Sequence, residues 1–302
     1  MSIDMTRDTM LGLLMADASL EMTGKDVAQL LEAKDAIPVG SRVNVTFLEN
    51  EDLAMRLEAA RTVKALDLVP VPHLSARRLR SADMLQESLT ALQREGATES
   101  VFVIGGDPST PHGPYEDALS VIRSGLLEAH GVRRVSIAGY PEGHPDISGG
   151  DLWAALQDKA GELVQRDLAG DIITQFGFDV DPVIAWIEQV RGRGITMPVR
   201  VGVPGPAGIR RLVRYAARFG VGASSGIAKK YGFSITNLMG TAGPDRFIRE
   251  LADRYDPAAH GEVKLHFYTF GGVRTTSEWI AGFRAAQLTA EPRAGQLEEE
   301  SR

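Results

Sequence analysis

The sequence predicts an α/β protein folded as a single (β/α)8 TIM barrel. Eight apolar, β-branched runs alternate with amphipathic helical stretches. The length, 302 residues, is typical of one such barrel. Almost every run ends in polar, titratable residues, and a barrel carries its site at the C-terminal ends of its strands. A doubly wound open sheet is the alternative. Its first strand usually leads into a glycine-rich phosphate loop, but "MTGKD" (22–26) holds one glycine. No repeat or linker interrupts the chain. One domain is therefore expected over 1–290, followed by a polar tail over 291–302.

Taken in order, the expected strands are "DASLEMT" (17–23), "RVNVTF" (42–47), "LVPVPHLS" (68–75) and "SVFVIGG" (100–106). They continue with "RVSIAGY" (134–140), "DIITQFGF" (171–178), "VRVGVPG" (199–205) and "KLHFYTFG" (264–271). Between them "DMLQESLTALQREG" (83–96), "YEDALSVIRSGLLEAHG" (115–131) and "DPVIAWIEQVRGRG" (181–194) read as helices. Asp-Pro and Gly-Pro pairs mark several helix starts. "TTSE" (275–278) reads as a capping box for the last helix.

Composition narrows the function. A net charge of -7 disfavours nucleic acid, although "ARRLR" (76–80) is a local basic spot able to hold a phosphate. There is no cysteine, which removes disulfides, thiolate catalysis and zinc–cysteine sites and fits a reducing cytoplasm. The first residues lack the basic start and long apolar core of a signal peptide. No apolar run approaches the roughly 20 residues of a membrane span. A cytoplasmic protein without membrane or nucleic-acid partners is expected, with a homo-oligomer left open. Six scattered histidines form no HExxH or H-x-H pair, and no GxSxG elbow is present. No metal is expected.

The strand ends supply the candidates: Glu21, Thr46, His73, Asp107 in "GGDPST", Tyr140 and His144 in "AGYPEGHPD", and Gln175 in "ITQFGFD". Each has a plain reading. Glu21 could cap a helix, Thr46 is an ordinary strand residue, His73 a packed core histidine, and Asp107-Pro108 a turn. Gln175 is harder to dismiss, because an amide inside an apolar run needs partners. Their convergence on one rim outweighs any single member.

"PHLS", "GGDP", "GYPEGHPD", "DIITQFGFD" and "HFYT", in this order, resemble the methylenetetrahydrofolate reductase family in its short bacterial form. The resemblance runs from "SLEMT" to "HFYT". It implies a barrel that binds FAD and reduces 5,10-methylenetetrahydrofolate to 5-methyltetrahydrofolate, with NAD(P)H giving hydride to the flavin before folate takes it. Glu21 then matches the acid that opens the substrate's five-membered ring; a carboxyl in a low-dielectric site can supply that proton. Asp107 matches the aspartate near flavin and pterin, and Gln175 the pterin-binding amide. Thr46, His73, Gly106, Asp107, Tyr140, His144, Asp151 and Lys159 match flavin contacts. Tyr115 matches an aromatic near the adenosine, and Phe270 a residue beside the pterin. The chain departs from the pattern too. Gly105 stands where many relatives carry Arg, the segment around Lys159 is longer, and "LEMTGKD" replaces "FEFFPPK". These departures keep open loose flavin binding or direct hydride transfer from NADH without flavin. A pterin-binding one-carbon transferase is a separate alternative, against which the acid Glu21 argues.

Overall fold

The computed structural model describes residues 6–221 and 241–290. Eight parallel strands close into a barrel in the order β1 (Ser19–Met22), β2 (Arg42–Val45), β3 (Val69–Ser75), β4 (Ser100–Ile104), β5 (Arg134–Gly139), β6 (Ala169–Phe176), β7 (Val199–Pro204) and β10 (Val263–Tyr268). β10 pairs with β1, so the open-sheet alternative is excluded. β8 (Ala207–Gly208) and β9 (Thr241–Ala242) form a small antiparallel pair that the sequence did not announce. The helices are α1 (Arg7–Met15), α2 (Val27–Ala33), α3 (Leu53–Ala65), α4 (Ala82–Arg94), α5 (Ala118–Ile122), α6 (Leu126–Ala129), α7 (Gly149–Gln165), α8 (Val180–Gly192), α9 (Ile209–Phe219), α10 (Asp245–Arg254), α11 (Pro257–His260) and α12 (Val273–Ala290). The polar tail over 291–302 lies outside the described residues.

Strand alternation separates two environments. One face of each strand enters the main apolar core: Val43 and Val45, Val101 and Val103, Val135 and Ile137, Val201 and Val203, Leu265 and Phe267. Each such side chain contributes about 1.5–3 kcal/mol on burial under the helices. The other face lines the barrel interior in three tiers. At the N-terminal ends Asp171 joins Arg42 and Arg200. Above them Val71, Phe102 and Ile173 pack together with Ile104 and Ala138. The top tier, at the C-terminal ends, holds Glu21, His73, His266 and Tyr268. An ionic base and an apolar middle thus seal the barrel beneath its polar mouth.

Three local expectations are corrected. The helix expected over 115–131 is split into α5 and α6, because Gly125 adopts φ 73° and begins a new helix. The last helix begins at Val273, so "TTSE" lies inside its first turns and forms no capping box. There the Thr276 hydroxyl donates to the Gly272 carbonyl, and Glu278 accepts from Arg274. α8 is capped by Asp179, which accepts from the Asp181 N–H, so Asp181-Pro182 falls within the helix.

Candidate active site

Glu21 sits on β1 with its side chain 19% exposed, between two imidazoles. Its Oε2 lies 3.9 Å from His73 Nε2 and 3.8 Å from His266 Nε2. The Glu21 carbonyl accepts from the Thr269 hydroxyl at 2.7 Å, tying β1 to the end of β10. His266 is fully buried, and its Nδ1 is 2.8 Å from the Ser19 hydroxyl. Its Nε2 is buried with no hydrogen-bond partner among the described residues. Ser19 therefore fixes the ring so that the second nitrogen points toward Glu21. Sequence reasoning quoted "HFYT" as a motif but gave His266 and Tyr268 no role; the signal was a His and a Tyr two residues apart, in the inward phase of the last strand.

His73 satisfies both of its sequence readings. It is buried and set edge-on against Phe102 at 4.8 Å, as a core residue would be. It also faces Glu21 and lies 3.5 Å from Asn44 Nδ2. Burial, aided by His266 and opposed by Glu21, pushes its pKa down from 6.5 to about 4. It is neutral at pH 7. The unfolded chain takes up this proton near pH 6.5, but the folded protein does so only near pH 4. Stability is thus fully present above pH 6.5 and falls by about 3 kcal/mol as pH drops toward 4. Thermal unfolding across that range should show the loss, and His73→Gln should flatten it. An unchanged slope in the variant would contradict this account.

Tyr268 donates to the Thr174 carbonyl at 3.0 Å. Burial, reinforced by the charge of Glu21, raises its pKa well above 10, so it serves as a neutral donor. Around it stands an aromatic wall. Phe176, Phe270 and Tyr268 approach one another within 4.9–5.7 Å, and Tyr215 stacks on Phe270 at 4.1 Å. Phe270 is thus placed at the mouth.

A β-bulge changes the expected role of Gln175. Ile173 pairs with Arg200, but the next aligned pair is Phe176 with Gly202. The extra residue moves Phe176 into the inward phase that simple alternation would give Gln175. Gln175 is half-buried, and its Oε1 accepts the Phe176 N–H at 3.1 Å. Its amide nitrogen makes no hydrogen bond among the described residues. Gln175 therefore braces the bulge through its carbonyl and keeps donors for a ligand.

Asp107 follows β4 and is exposed, held by Arg78 through Nε at 3.0 Å and Nη2 at 2.6 Å. Arg77 braces the same loop through the carbonyls of Pro108, Ser109 and Glu116. The basic spot at 76–80 is thus occupied with positioning this loop. Gly106 has φ 95°, and a Cβ there would lie 2.2 Å from the buried, unpartnered hydroxyl of Ser75. Only glycine fits, and it leaves a small polar cradle between β3 and β4.

The other candidates are dispersed. Thr46 donates to Glu51, a buried carboxylate that also accepts from the Gly24 and Leu48 N–H groups. Nothing in the sequence singled out Glu51. Tyr140 and His144 meet edge-to-face at 5.4 Å, and His144 Nδ1 accepts from the Asp146 N–H. Burial raises the Tyr140 pKa. Asp151 lies in the first turn of α7, where the Ser148 hydroxyl caps the helix by accepting the Asp151 N–H and donates to the Asp151 carboxylate. Tyr115 is packed in the main core. Lys159, expected as a diphosphate partner, is turned into the helix packing at 8% exposure. Burial lowers its pKa to about 8 against the pull of Asp117.

At the mouth of a closed α/β barrel, a carboxyl framed by two imidazoles and a neutral tyrosine thus stands beside an aromatic wall, an arrangement able to exchange a proton next to a flat surface. The family model for methylenetetrahydrofolate reductase matches residues 22–229. The chain belongs to this family. It is 30% identical over 167 residues to methylenetetrahydrofolate reductase 2 of Saccharomyces cerevisiae, covering 52% of this chain and 26% of the yeast protein. It is 26% identical over 210 residues to methylenetetrahydrofolate reductase 1 of Schizosaccharomyces pombe, covering 65% and 32%. The matches therefore span a quarter to a third of these relatives' lengths. A Clostridium thermocellum protein described as binding two copies of 5-methyl-5,6,7,8-tetrahydrofolic acid shares the fold at TM-score 0.58 and 10% identity, over 94% of this chain and 100% of its own.

Proposed function

We propose that this barrel reduces 5,10-methylenetetrahydrofolate to 5-methyltetrahydrofolate at the expense of NAD(P)H, with FAD as the intermediate carrier. The observation that carries the reading is Glu21 in its two-histidine frame, within a chain of this family. Simple pterin binding needs no acid set between two imidazoles.

The residues on the β2–β5 side fit a flavin. Ser75 offers an unpartnered buried hydroxyl beside the Gly106 cradle. Thr46, His73, Asp107, Tyr140 and His144, though dispersed, each lie at or just after the C-terminal end of one of β2 to β5. Asp151 would extend this set along α7, and Tyr115 would back it. Bound there, FAD would supply a hydride that the protein's own side chains cannot. Everything else falls to the chain. Glu21 gives a proton to the ring nitrogen of the folate, so that the five-membered ring opens to an iminium. His266, fixed by Ser19, and neutral His73 keep the carboxyl in place. Asp107 offers its remaining carboxylate oxygen to the pterin N–H groups, while Arg78 holds the other. The Gln175 amide nitrogen donates to the pterin edge, and the aromatic wall, Phe270 included, excludes water. On this reading Gln175→Ala raises the folate KM, whereas Asp107→Asn mainly lowers the rate of the folate half-reaction. Unchanged folate kinetics in Gln175→Ala would leave that amide with the bulge alone.

Gly105 and the inward Lys159 favour a second reading, in which NADH passes hydride directly to folate. The deciding experiment is the absorption spectrum of the purified protein with and without added FAD, followed by the NADH-driven reaction. Flavin bands, or activity dependent on added FAD, support the first reading. Folate reduction without flavin supports the second, and no reduction under either condition overturns both.

A further inference from the structure

We infer that α9 is a docking rail for a chain of carboxylates attached to the ligand in the barrel mouth, namely the oligo-γ-glutamyl tail of a folate. This rests on the folate reading above and adds a site to it.

α9 has the sequence IRRLVRYAARF and carries Arg210, Arg211, Arg214 and Arg218, all exposed. At about 100° per residue, these four fall within one arc of about 100°. The opposite face holds the buried Leu212 and Ala216. Among the described residues, no carboxylate pairs with any of the four. Arg211 donates instead to the Phe270 carbonyl at 2.7 Å, and Arg214 and Arg218 lie over the rings of Tyr215 and Phe219. In a chain with net charge -7, four unpaired cations on three helical turns are a pronounced local excess.

Their position gives the stripe its meaning. Tyr215, on the same helix, stacks on Phe270, which meets Phe176 and Tyr268 in the wall of the site. The arginine stripe therefore begins where the aromatic wall ends. A ligand with its flat end near Glu21 would pass its tail over Phe270 and reach Arg211 first. The spacing also matches. Arg210, Arg214 and Arg218 follow one another by one turn, about 6 Å apart along the axis. An extended γ-linked glutamate has two more backbone bonds than an α-linked one and so also spans about 6 Å. Each successive α-carboxylate can meet one guanidinium, in the fork geometry that suits arginine better than lysine.

The test compares 5-methyltetrahydrofolate carrying one glutamate with the same compound carrying five, titrated against the full chain at low and high salt. The expected result is a Kd at least tenfold lower for the pentaglutamate at low salt, with the advantage shrinking as salt screens the contacts. In a variant with Arg210→Gln, Arg214→Gln and Arg218→Gln, the advantage disappears while the monoglutamate Kd stays within twofold. The native salt dependence keeps the proposal testable should the variant fold poorly. Equal affinity of the native protein for both forms overturns the rail and leaves the folate reading intact. Failure to bind either form overturns the reading and the rail together. Tight binding to anionic vesicles with no preference between the two folates would reassign the stripe to a membrane surface and also overturn the proposal.

Discussion

Glu21→Gln is expected to lower folate reduction by about 10²–10⁴-fold, the usual contribution of a positioned general acid. NADH-driven flavin reduction and the unfolding temperature should remain near native. The amide keeps the size and hydrogen-bonding capacity of the carboxyl but has no acidic proton to give. Glu21 makes no ion pair closer than 3.8 Å and is partly exposed, so its replacement leaves no buried charge behind. Stopped-flow measurement of the two half-reactions separates the outcomes. If both fall together, Glu21 supports the structure of the mouth and the proton has another source. Neutral His73 is a poor substitute, since its low pKa leaves it no acidic proton at pH 7. His266, whose Nε2 lies 3.8 Å from the Glu21 carboxyl, is the group to examine next.

The barrel was legible because its outward strand faces are almost uninterrupted Val, Ile and Leu, and only packing under helices explains that pattern. Glu21 and His73 were legible because a charged and a titratable group interrupt such runs near their ends. The structure adds what alternation alone cannot supply. One bulged residue in β6 exchanged the expected phases of Gln175 and Phe176, and a bulge of this kind leaves no mark in an apolar run. The basic stretch at 76–80 is able in sequence to hold a phosphate, but a guanidinium near a strand end serves a carboxylate as readily, and Asp107 engages Arg78. Lys159 shows a limit of motif transfer: one residue on a helix turns a side chain by about 100°, so a longer connection can turn a surface lysine into a buried one. The capping box failed because the helix starts three residues earlier than its local signature suggested.

The largest stability effect is expected at the opposite end of the barrel, from Asp171→Ala. The Asp171 side chain is 1% exposed. It accepts from Arg42 at 2.7 Å and Arg200 at 2.8 Å, and also from the Ser136 hydroxyl. Arg200 is braced further by Asp17 at 2.6 Å. Removing the carboxylate leaves two guanidinium groups facing each other at the sealed base of the barrel. Breaking a buried pair in this way costs about 3–5 kcal/mol, or a fall of roughly 5–15 °C in unfolding temperature. Asp171→Leu combined with Arg42→Met and Arg200→Met should recover much of that loss, because no buried charge is then left alone. Burial by itself would raise the Asp171 pKa, but Arg200, the Ser136 hydroxyl and Arg42 outweigh it and hold the group below its ordinary 3.8. Its contribution is therefore fully present above that value and is lost only as pH falls further, through the lowered pKa of the folded state. Native protein should lose stability in two separate windows: from pH 6.5 toward 4 through His73, and below 3.8 through Asp171. Asp171→Ala should keep the first and lack the second. A variant as stable as the native protein at pH 7 would show that the two arginines find other partners, and that the ionic base does not hold the barrel closed.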